Sequence, residues 1–260
     1  DRSVSRGLGD VYKRQSHNFV FRNVNSGHFL DVYNNETKNG TNILQYVFNG
    51  GNNQQWQITH VGEGLVKIRT RLNTNCVLDI DRSKNNNGTK VQLWNYEGNK
   101  NQKFKIVQRY RGEYVIYANT SNFTKCLSVK DGSKNYGEIV HQWEYTGARE
   151  RWTINRVITT TNVTHRDGFQ ILNVNVGISG WFYFIPPENG YYYIETVGGK
   201  DTILKVTDFD AGKLLVTADD NGGYGGNEKV YRYLTANKRY RIDVSYTDTM
   251  ASGKVGVTIY

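Results

Sequence analysis

Five side chains between residues 79 and 102 have the types needed to hold a ring of hydroxyl groups: Asp79, Gln92, Trp94, Asn101 and Gln102. A carboxylate can accept from two adjacent hydroxyls, and charged acceptors form the stronger hydrogen bonds. A flat aromatic ring supplies apolar area beneath a patch of C–H groups at little entropic cost. Amide side chains both donate and accept, so they complete the contacts. This combination predicts a sugar pocket.

A related set precedes it, formed by Asp31, Tyr46, Asn53 and Gln54. The position that matches Gln92 is Leu44 here, and Gln45 is displaced by one residue. Since successive side chains of a strand point to opposite faces, Gln45 is expected to face away from the pocket. The sequence predicts a second sugar site that is weaker or differently selective.

A third set follows, with Ser128, His141, Trp143, Arg149 and Glu150 at the matching positions. Ser128 cannot replace the carboxylate, which makes the strongest contact with neighbouring hydroxyls. We expect this third site to be inactive toward neutral sugars. An acidic sugar that meets Arg149 is the alternative left open.

A repeat of about 48 residues positions these three sets. Forty-eight residues separate Trp56 from Phe104, and the same number separates Phe104 from Trp152. Each aromatic closes a similar segment, and each is preceded by a Leu-Asp-Val type strand and a glycine-led aromatic stretch that begins at Gly40, Gly88 or Gly137. A repeat of this kind cannot bury its apolar face alone. Three copies without a fourth predict a closed threefold object.

Each repeat divides into four short strands bounded by Asn and Gly turns, which favours a barrel or sandwich over βαβ units. The three opening strands are predicted at 19–24, 65–69 and 114–117. Twelve strands in three repeats predict an all-β fold of the β-trefoil type, with six strands in a barrel and six closing one end. Trp56, Phe104 and Trp152 are expected to pack together in its core.

The Gln-x-Trp ending of the repeats resembles the ricin-type lectin repeat over residues 16–157. Phe104 in place of Trp and Glu150 in place of Gln depart from that pattern. The resemblance implies binding of galactose or N-acetylgalactosamine, or of a plant polysaccharide such as xylan.

Carried over residue by residue, the resemblance gives each side chain of repeat two a role. Asp79 would bridge two hydroxyls, Trp94 would stack on the sugar, and Asn101 would bond a hydroxyl. Gln92 and Gln102 would orient the carboxylate or touch the ring edge.

Residues 163–260 follow a short linker at 158–162 and alternate strongly between apolar and polar positions. Their order of Gly-Tyr, Asp-Thr-x-Leu, Asp-Asp-x-Gly-Gly and Tyr-x-Ile-x-Val segments resembles the bacterial pre-peptidase C-terminal domain. The resemblance implies a jelly-roll-like β-sandwich that assists binding or stabilises a neighbour, and it implies a secreted bacterial protein.

Calcium is the one cofactor that the sequence suggests. Asp201, Asp219 and Asp220 place hard oxygen ligands beside a Gly-rich turn, which suits Ca²⁺, with Asp208 and Asp210 near the same edge. Turns in which Asx side chains bond the backbone account for the same residues equally well.

The net charge of +9 lies almost wholly in residues 16–157, which carry +8. Because Lys and Arg are scattered among Asn and Gly, a solvated surface is favoured over a nucleic-acid interface. No stretch approaches the roughly 20 apolar residues of a membrane helix. Cys76 and Cys126 occupy related places in two repeats, so two buried free thiols are favoured over a disulfide.

Residues 1–15 join none of these patterns and lack the apolar core of a signal peptide. They resemble the translation of adapter read-through at the end of a metagenomic reading frame, and we exclude them as a non-native segment. The chain is expected to be a piece of a longer gene product.

No enzyme is predicted. The five histidines have no metal-ligand spacing, and each sugar set has one acid where glycoside hydrolysis requires two. The sequence therefore predicts a carbohydrate-binding protein. Two alternatives stay open: a targeting fragment of a secreted hydrolase, peptidase or toxin whose catalytic part is absent, and a protein–protein adhesion module.

Overall fold

The computed structural model describes residues 17–164, 168–219 and 226–260. The chain is all-β and divides into two compact units. Unit 1 contains the described residues up to Val47 and Gly51–Ile154, and unit 2 contains Phe48–Gly50 and Asn155–Tyr260. The predicted non-native segment 1–15 lies outside the described residues, and the predicted domain limits stay predictions.

The three repeats contain twelve strands, four in each, and the last of them continues from unit 1 into unit 2. They are β1 Phe19–Asn23, β2 Phe29–Val32, β3 Thr41–Tyr46, β4 Trp56–His60, β5 Val66–Thr70, β6 Cys76–Ile80, β7 Val91–Asn95, β8 Phe104–Tyr110, β9 Glu113–Ala118, β10 Lys125–Val129, β11 Val140–Glu144 and β12 Arg151–Ile158.

The first and fourth strands of the repeats form a closed ring. β1 pairs with β4, β4 with β5, β5 with β8, β8 with β9, and β9 with β12. The backbone N–H of Val24 donates to the carbonyl of Arg151 at 3.0 Å and joins β1 to β12. A six-stranded barrel leaves no free sheet edge. The predicted β-trefoil is confirmed.

The second and third strands of each repeat form a hairpin: β2 with β3, β6 with β7, and β10 with β11. The register is the same in all three, and it places Asp31 opposite Leu44, Asp79 opposite Gln92, and Ser128 opposite His141. Leu44, Gln92 and His141, which the sequence alignment of the repeats treats as equivalent, therefore occupy equivalent places, because a fixed register sets which side chains share a face.

One glycine in each repeat forms a hydrogen bond to the hairpin of another repeat. The N–H of Gly40 donates to the carbonyl of Leu93 at 2.8 Å, that of Gly88 to Gln142 at 2.9 Å, and that of Gly137 to Gln45 at 2.7 Å. Their φ angles lie between 81° and 88°, a region that glycine enters without steric cost. This requirement explains why glycine recurs at this point of the repeat.

The barrel core is built around Trp56, Phe104 and Trp152, which are fully buried. The indole N–H of Trp56 donates to the carbonyl of Leu30 at 3.1 Å, and that of Trp152 donates to Leu127 at 3.2 Å. Phe104 fills the third place without an N–H group. Cys76 and Cys126 are buried free thiols, as expected.

Unit 2 contains two sheets around a second apolar core. Their strands are β13 Asn162–Val163, β14 Gly168–Val174, β15 Gly180–Phe184, β16 Gly190–Val197, β17 Thr202–Asp208, β18 Lys213–Ala218, β19 Lys229–Leu234, β20 Tyr240–Tyr246 and β21 Gly253–Ile259. One sheet has the order β14-β21-β16-β19, and the other has β13-β15-β20-β17-β18.

Alternation between buried and exposed positions is clearest in β17 and β20, as expected for a sandwich with one wet face per sheet. Both sheets contribute to one buried cluster that includes Phe182, Tyr192, Leu204 and Ile242.

The alternation in sequence predicts the strands at 181–185, 191–195, 203–206, 240–244 and 255–259 but does not identify β14, β18 and β19. Within the described residues, no helix is long and apolar enough to cross a membrane.

Candidate carbohydrate site

The carboxylate of Asp79 is the centre of the site in repeat two. It lies on β6 with 2% of its surface exposed, and three side-chain amides converge on it. Gln92 Nε2 donates to Oδ1 at 3.1 Å, while Asn101 Nδ2 and Gln102 Nε2 donate to Oδ2 at 2.7 and 3.0 Å. Three donors fix the carboxylate in one orientation and satisfy a group that would be costly to bury alone.

Gln102 connects this carboxylate to the neighbouring turn. Its Oε1 accepts from the backbone N–H groups of Glu97 and Gly98 at 2.7 and 3.2 Å, and its Nε2 also donates to the carbonyl of Asn95 at 2.8 Å. The side chain is almost fully buried. Gln102 therefore orients Asp79 and holds the turn that follows β7.

Trp94 lies on β7, the strand paired with that of Asp79, and is partly exposed. It is two residues from Gln92 on β7, so both side chains point to the same face as Asp79. The indole Nε1 donates to Glu97 Oε1 at 3.0 Å, and Asn99 Nδ2 donates to Glu97 Oε2 at 3.1 Å. These bonds fix the ring plane. Glu97 was not predicted from the sequence, because its contact depends on the shape of the turn.

Repeat one reproduces the carboxylate and its amide pair. Asp31 Oδ2 accepts from Asn53 Nδ2 and Gln54 Nε2, both at 2.8 Å. Gln54 Nε2 also donates to the carbonyl of Val47 at 2.8 Å, as Gln102 does to Asn95 in repeat two. Leu44 stands opposite Asp31 and cannot donate, so this carboxylate lacks the third amide.

Burial raises the pKa of Asp31 and of Asp79, in each case to about 6. The surrounding amide donors favour the charged form and oppose this shift only in part, because desolvation is the larger effect. Both carboxylates thus titrate close to neutral pH.

A loop of repeat three contacts the strand of repeat one that carries Tyr46. The ring of Tyr136 meets that of Tyr46 edge to face, with centroids 5.2 Å apart. Gln45 is fully buried, and its Nε2 donates to the carbonyls of Ser133 and Asn135 at 2.9 and 2.7 Å. Gln45 faces away from Asp31 as predicted. Tyr136 was missed, although Gly137 beside it marks the contact between repeats.

Repeat three has the same hydrogen-bond pattern with a different set of side chains. Ser128 Oγ donates to Glu150 Oε1 at 2.9 Å, and Glu150 Oε2 accepts from the N–H of Gly147 at 2.8 Å. Arg149 Nε donates to Glu150 Oε1 at 2.6 Å. Only Glu150 carries a carboxylate here, and it is wholly buried in contacts with its own repeat.

The aromatic ring of repeat three is covered by its neighbours. The guanidinium of Arg149 lies over Trp143, 5.7 Å from the ring centroid, and the imidazole of His141 stacks on the same indole at 5.3 Å. Burial lowers the pKa of His141. These contacts occupy the ring on which a sugar would stack.

The predicted calcium ligands belong to unit 2. Asp201 Oδ2 accepts from Thr247 Oγ1 at 2.8 Å. Asp220 lies outside the described residues, and among those described no group of three or more His, Cys, Asp or Glu side chains is arranged to hold a metal ion. The calcium site stays a prediction.

A threefold β-barrel whose hairpins present buried, amide-held carboxylates defines unit 1 as a β-trefoil of the lectin class. The profile of the family described as ricin-type beta-trefoil lectin domain-like matches residues 11–94 and 60–143. The two matches overlap and together span about half of the chain. The chain belongs to this family, and the finding supports carbohydrate binding.

Solved structures agree with the fold of unit 1. The designed threefold-symmetric protein ThreeFoil matches with 32% identity and a TM-score of 0.51, over 53% of this chain and 96% of its own. The exo-beta-1,3-galactanase 1,3Gal43A from Clostridium thermocellum matches with 27% identity and a TM-score of 0.51, over 55% of this chain and 30% of its own.

A mosquitocidal holotoxin matches with 14% identity and a TM-score of 0.50, over 87% of this chain and 23% of its own, a likeness of fold alone. The comparison with curated proteins gave no match.

Proposed function

We propose that this chain is a secreted bacterial lectin that binds galactose-type glycans, or a plant polysaccharide, through repeat two and more weakly through repeat one. The observation that carries the proposal is the Asp79 carboxylate, held by Gln92, Asn101 and Gln102 beside the partly exposed ring of Trp94. A fixed anionic acceptor next to a fixed aromatic ring matches the hydroxyl edge and the C–H face of a sugar.

One feature supports galactosides, and two others concern the Asp79 pocket and the ranking of the repeats. The exo-beta-1,3-galactanase shares the trefoil at 27% identity, and its name places galactan among the ligands to test first. Asn101 Oδ1 is buried and accepts no hydrogen bond from a described residue, which leaves an acceptor beside Asp79. Asp31 has two amide partners where Asp79 has three, so repeat one is ranked second.

Neither pocket is proposed to catalyse. Glycoside hydrolysis uses two carboxyl groups about 5 to 10 Å apart. In repeat two the second carboxylate, Glu97, is bonded to Trp94 Nε1 and Asn99 Nδ2 and holds the aromatic ring. Weak single pockets would gain useful strength by acting together on a multivalent glycan. Unit 2, which we propose to be a pre-peptidase C-terminal-like domain, would assist binding or stabilise its neighbour.

A second candidate function is that of a targeting module for a catalytic or toxin part of the same parent protein. The observation that favours it is the galactanase itself, in which the matched region takes up only 30% of an enzyme chain. A continuous reading frame that encodes a catalytic domain next to this chain would establish that role, and a frame that ends at both limits of the chain would refute it.

The test of the lectin proposal is a glycan array of the full chain, followed by calorimetric titration with the best ligand. Asp79→Asn and Asp31→Asn form a matched pair, since each removes one charge at the same place in a different repeat. We expect Asp79→Asn to remove most binding, Asp31→Asn to remove less, and the double variant to be inactive. Wild-type affinity in the folded double variant would refute the proposal.

A further inference from the structure

An exposed row of tyrosines lies on the outer face of one sheet of unit 2. We call it the tyrosine strip; its members are Tyr191, Tyr193, Tyr231, Tyr233 and Tyr260. Each has at least 37% of its surface exposed, and three exceed 50%. The register of β16 with β19 places Tyr191 opposite Tyr233 and Tyr193 opposite Tyr231.

Each ring of the strip contacts the next ring along the row. Their centroids are 5.2 Å apart between Tyr233 and Tyr191, 4.7 Å between Tyr191 and Tyr231, 4.5 Å between Tyr231 and Tyr193, and 5.4 Å between Tyr193 and Tyr260. The last three contacts are stacked, with interplanar angles from 17° to 29°. Stacked rings cover part of one another's faces, so the strip presents ring edges and phenol groups to water.

Positive side chains flank the strip at both ends. Lys213 and Arg232 line a groove of about 370 Å³ together with Tyr191, Tyr231 and Tyr233, and Leu214 and Leu215 complete its wall. At the other end the Lys229 ammonium lies 4.7 Å from the ring centroid of Tyr193 and 5.1 Å from that of Tyr260. Two carboxylates lie near these charges. Glu195 accepts from Tyr260 Oη at 2.9 Å and lies 4.0 Å from Lys229 Nζ, and Asp208 stands opposite Lys213 in the register of β17 with β18.

The chemistry of this face selects an anionic, hydroxyl-bearing chain. Aromatic edges carry partial positive charge, phenol groups donate hydrogen bonds, and Lys213 and Arg232 add full positive charge. Cross-strand aromatic pairs also stabilise a sheet, but that role does not require a basic groove along the same row. A linear array of five rings matches an extended polymer better than a compact ligand.

We propose that the tyrosine strip and its groove bind an acidic polysaccharide, one whose sugars carry carboxylates, as a second glycan site of different specificity. The site uses residues of unit 2 alone, so it does not rest on the trefoil pockets proposed above. A chain of uronic acids would place its carboxylates on Lys213 and Arg232 and its ring hydroxyls along the phenols.

The test uses the full chain and polygalacturonate as the probe, with affinity gel electrophoresis and calorimetry. We expect binding that weakens about tenfold between about 0.05 and about 0.5 M NaCl, because exposed charges are screened by salt. Tyr191→Ala/Tyr231→Ala is expected to lower affinity at least about tenfold, equivalent to about 1.4 kcal/mol. Lys213→Gln/Arg232→Gln, which keeps every tyrosine, is expected to lower affinity and flatten the salt dependence.

Two controls separate the strip from the trefoil pockets and from exposed aromatic residues in general. Trp181→Ala removes an exposed aromatic from β15 in the other sheet and is expected to leave polygalacturonate binding unchanged. Asp31→Asn/Asp79→Asn is expected to lose galactoside binding and keep polygalacturonate binding. If the tyrosine variant fails to fold, as seen by circular dichroism, the Lys213/Arg232 variant decides.

Three results would overturn the inference: no binding of polygalacturonate by the wild type, equal binding by the folded strip variants, or loss of binding in the Asp31/Asp79 variant. A dimer of the free chain that Tyr191→Ala/Tyr231→Ala dissociates would also overturn it, because a second copy would then cover the strip.

Discussion

Ser128 and Glu150 form in repeat three the same bond that Asp79 and Gln102 form in repeat two, with the donor and acceptor exchanged. Ser128 Oγ donates to Glu150 Oε1 at 2.9 Å, whereas Gln102 Nε2 donates to Asp79 Oδ2 at 3.0 Å. Gln102 and Glu150 also accept backbone N–H groups of their own turns through the same side chain. The two turns therefore have equivalent hydrogen bonds. The carboxylate belongs to the strand residue Asp79 in repeat two and to the turn residue Glu150 in repeat three.

This exchange predicts strong coupling between the two positions. Ser128→Asp alone would place a second carboxylate against buried Glu150, and we expect a loss of about 3 kcal/mol or more in the free energy of unfolding. Ser128→Asp/Glu150→Gln restores the arrangement of repeat two and should recover most of that loss. Urea denaturation of the wild type, both single variants and the double variant measures the coupling energy. Additive effects would contradict the proposed equivalence.

The raised pKa of Asp79 predicts that glycan binding weakens in mild acid. With a pKa of about 6, only about one tenth of the carboxyl groups are ionised at about pH 5, so affinity should fall about tenfold if the sugar binds the ionised form. Calorimetry from about pH 5 to about pH 7.5 measures this change. In Asp79→Asn any residual binding should be insensitive to pH, and a flat wild-type profile would disprove the role of the carboxylate.

The same two carboxyl groups should make the folded state more stable in mild acid, although mild acid weakens glycan binding. Their folded pKa values of about 6 exceed the reference value of 3.8, so the folded state binds more protons between these limits. The contribution of Asp31 and Asp79 to the free energy of unfolding therefore increases as the pH falls from about 6 to about 4. Denaturation curves of Asp31→Asn/Asp79→Asn should lack this contribution. Identical pH slopes in variant and wild type would exclude it.

The aromatic rings of repeats two and three should differ in importance for binding. Both rings are partly exposed, but the ring of Trp143 is contacted by Arg149 and His141. We expect Trp94→Ala to weaken glycan binding about two- to twelvefold, since an aromatic contact adds about 0.5 to 1.5 kcal/mol. Trp143→Ala is the matched control and should leave the affinity unchanged. Equal losses in both variants would indicate that repeat three also binds.

The buried indole bonds predict a measurable cost for losing one N–H group. Trp56→Phe copies the residue found at Phe104 and removes the bond from Trp56 Nε1 to Leu30. We expect the free energy of unfolding to fall by about 1 to 3 kcal/mol, because the carbonyl is left buried and the smaller ring leaves space. Thermal or urea unfolding measures the loss, and Trp152→Phe should cost a similar amount. No change in either variant would show that the core adapts.

Much of unit 1 could be predicted because its information is local and occurs three times. The 48-residue period places Trp56, Phe104 and Trp152 in one core, and the same alignment makes Leu44 the counterpart of Gln92, as the strand register shows. Spacing and resemblance also placed the amide side chains in the same sets as the two carboxylates, but Asn101, expected to bond a sugar hydroxyl, donates to Asp79 in the structure. In unit 2 the sequence showed strands with strong alternation and missed β14, β18 and β19. The last two lie at sheet edges, where many side chains are exposed.

The sequence by itself determined the all-β class, the threefold repeat, the core aromatics and the polar residues gathered around Asp31 and Asp79. Only the tertiary structure decided that Arg149 covers Trp143, that Tyr136 reaches Tyr46 from another repeat, and that five tyrosines form one exposed row beside Lys213 and Arg232. The physical reason is that strand alternation and repeat period act over a few residues. Contacts between side chains that are distant in sequence depend on barrel closure, strand register and the path of each turn.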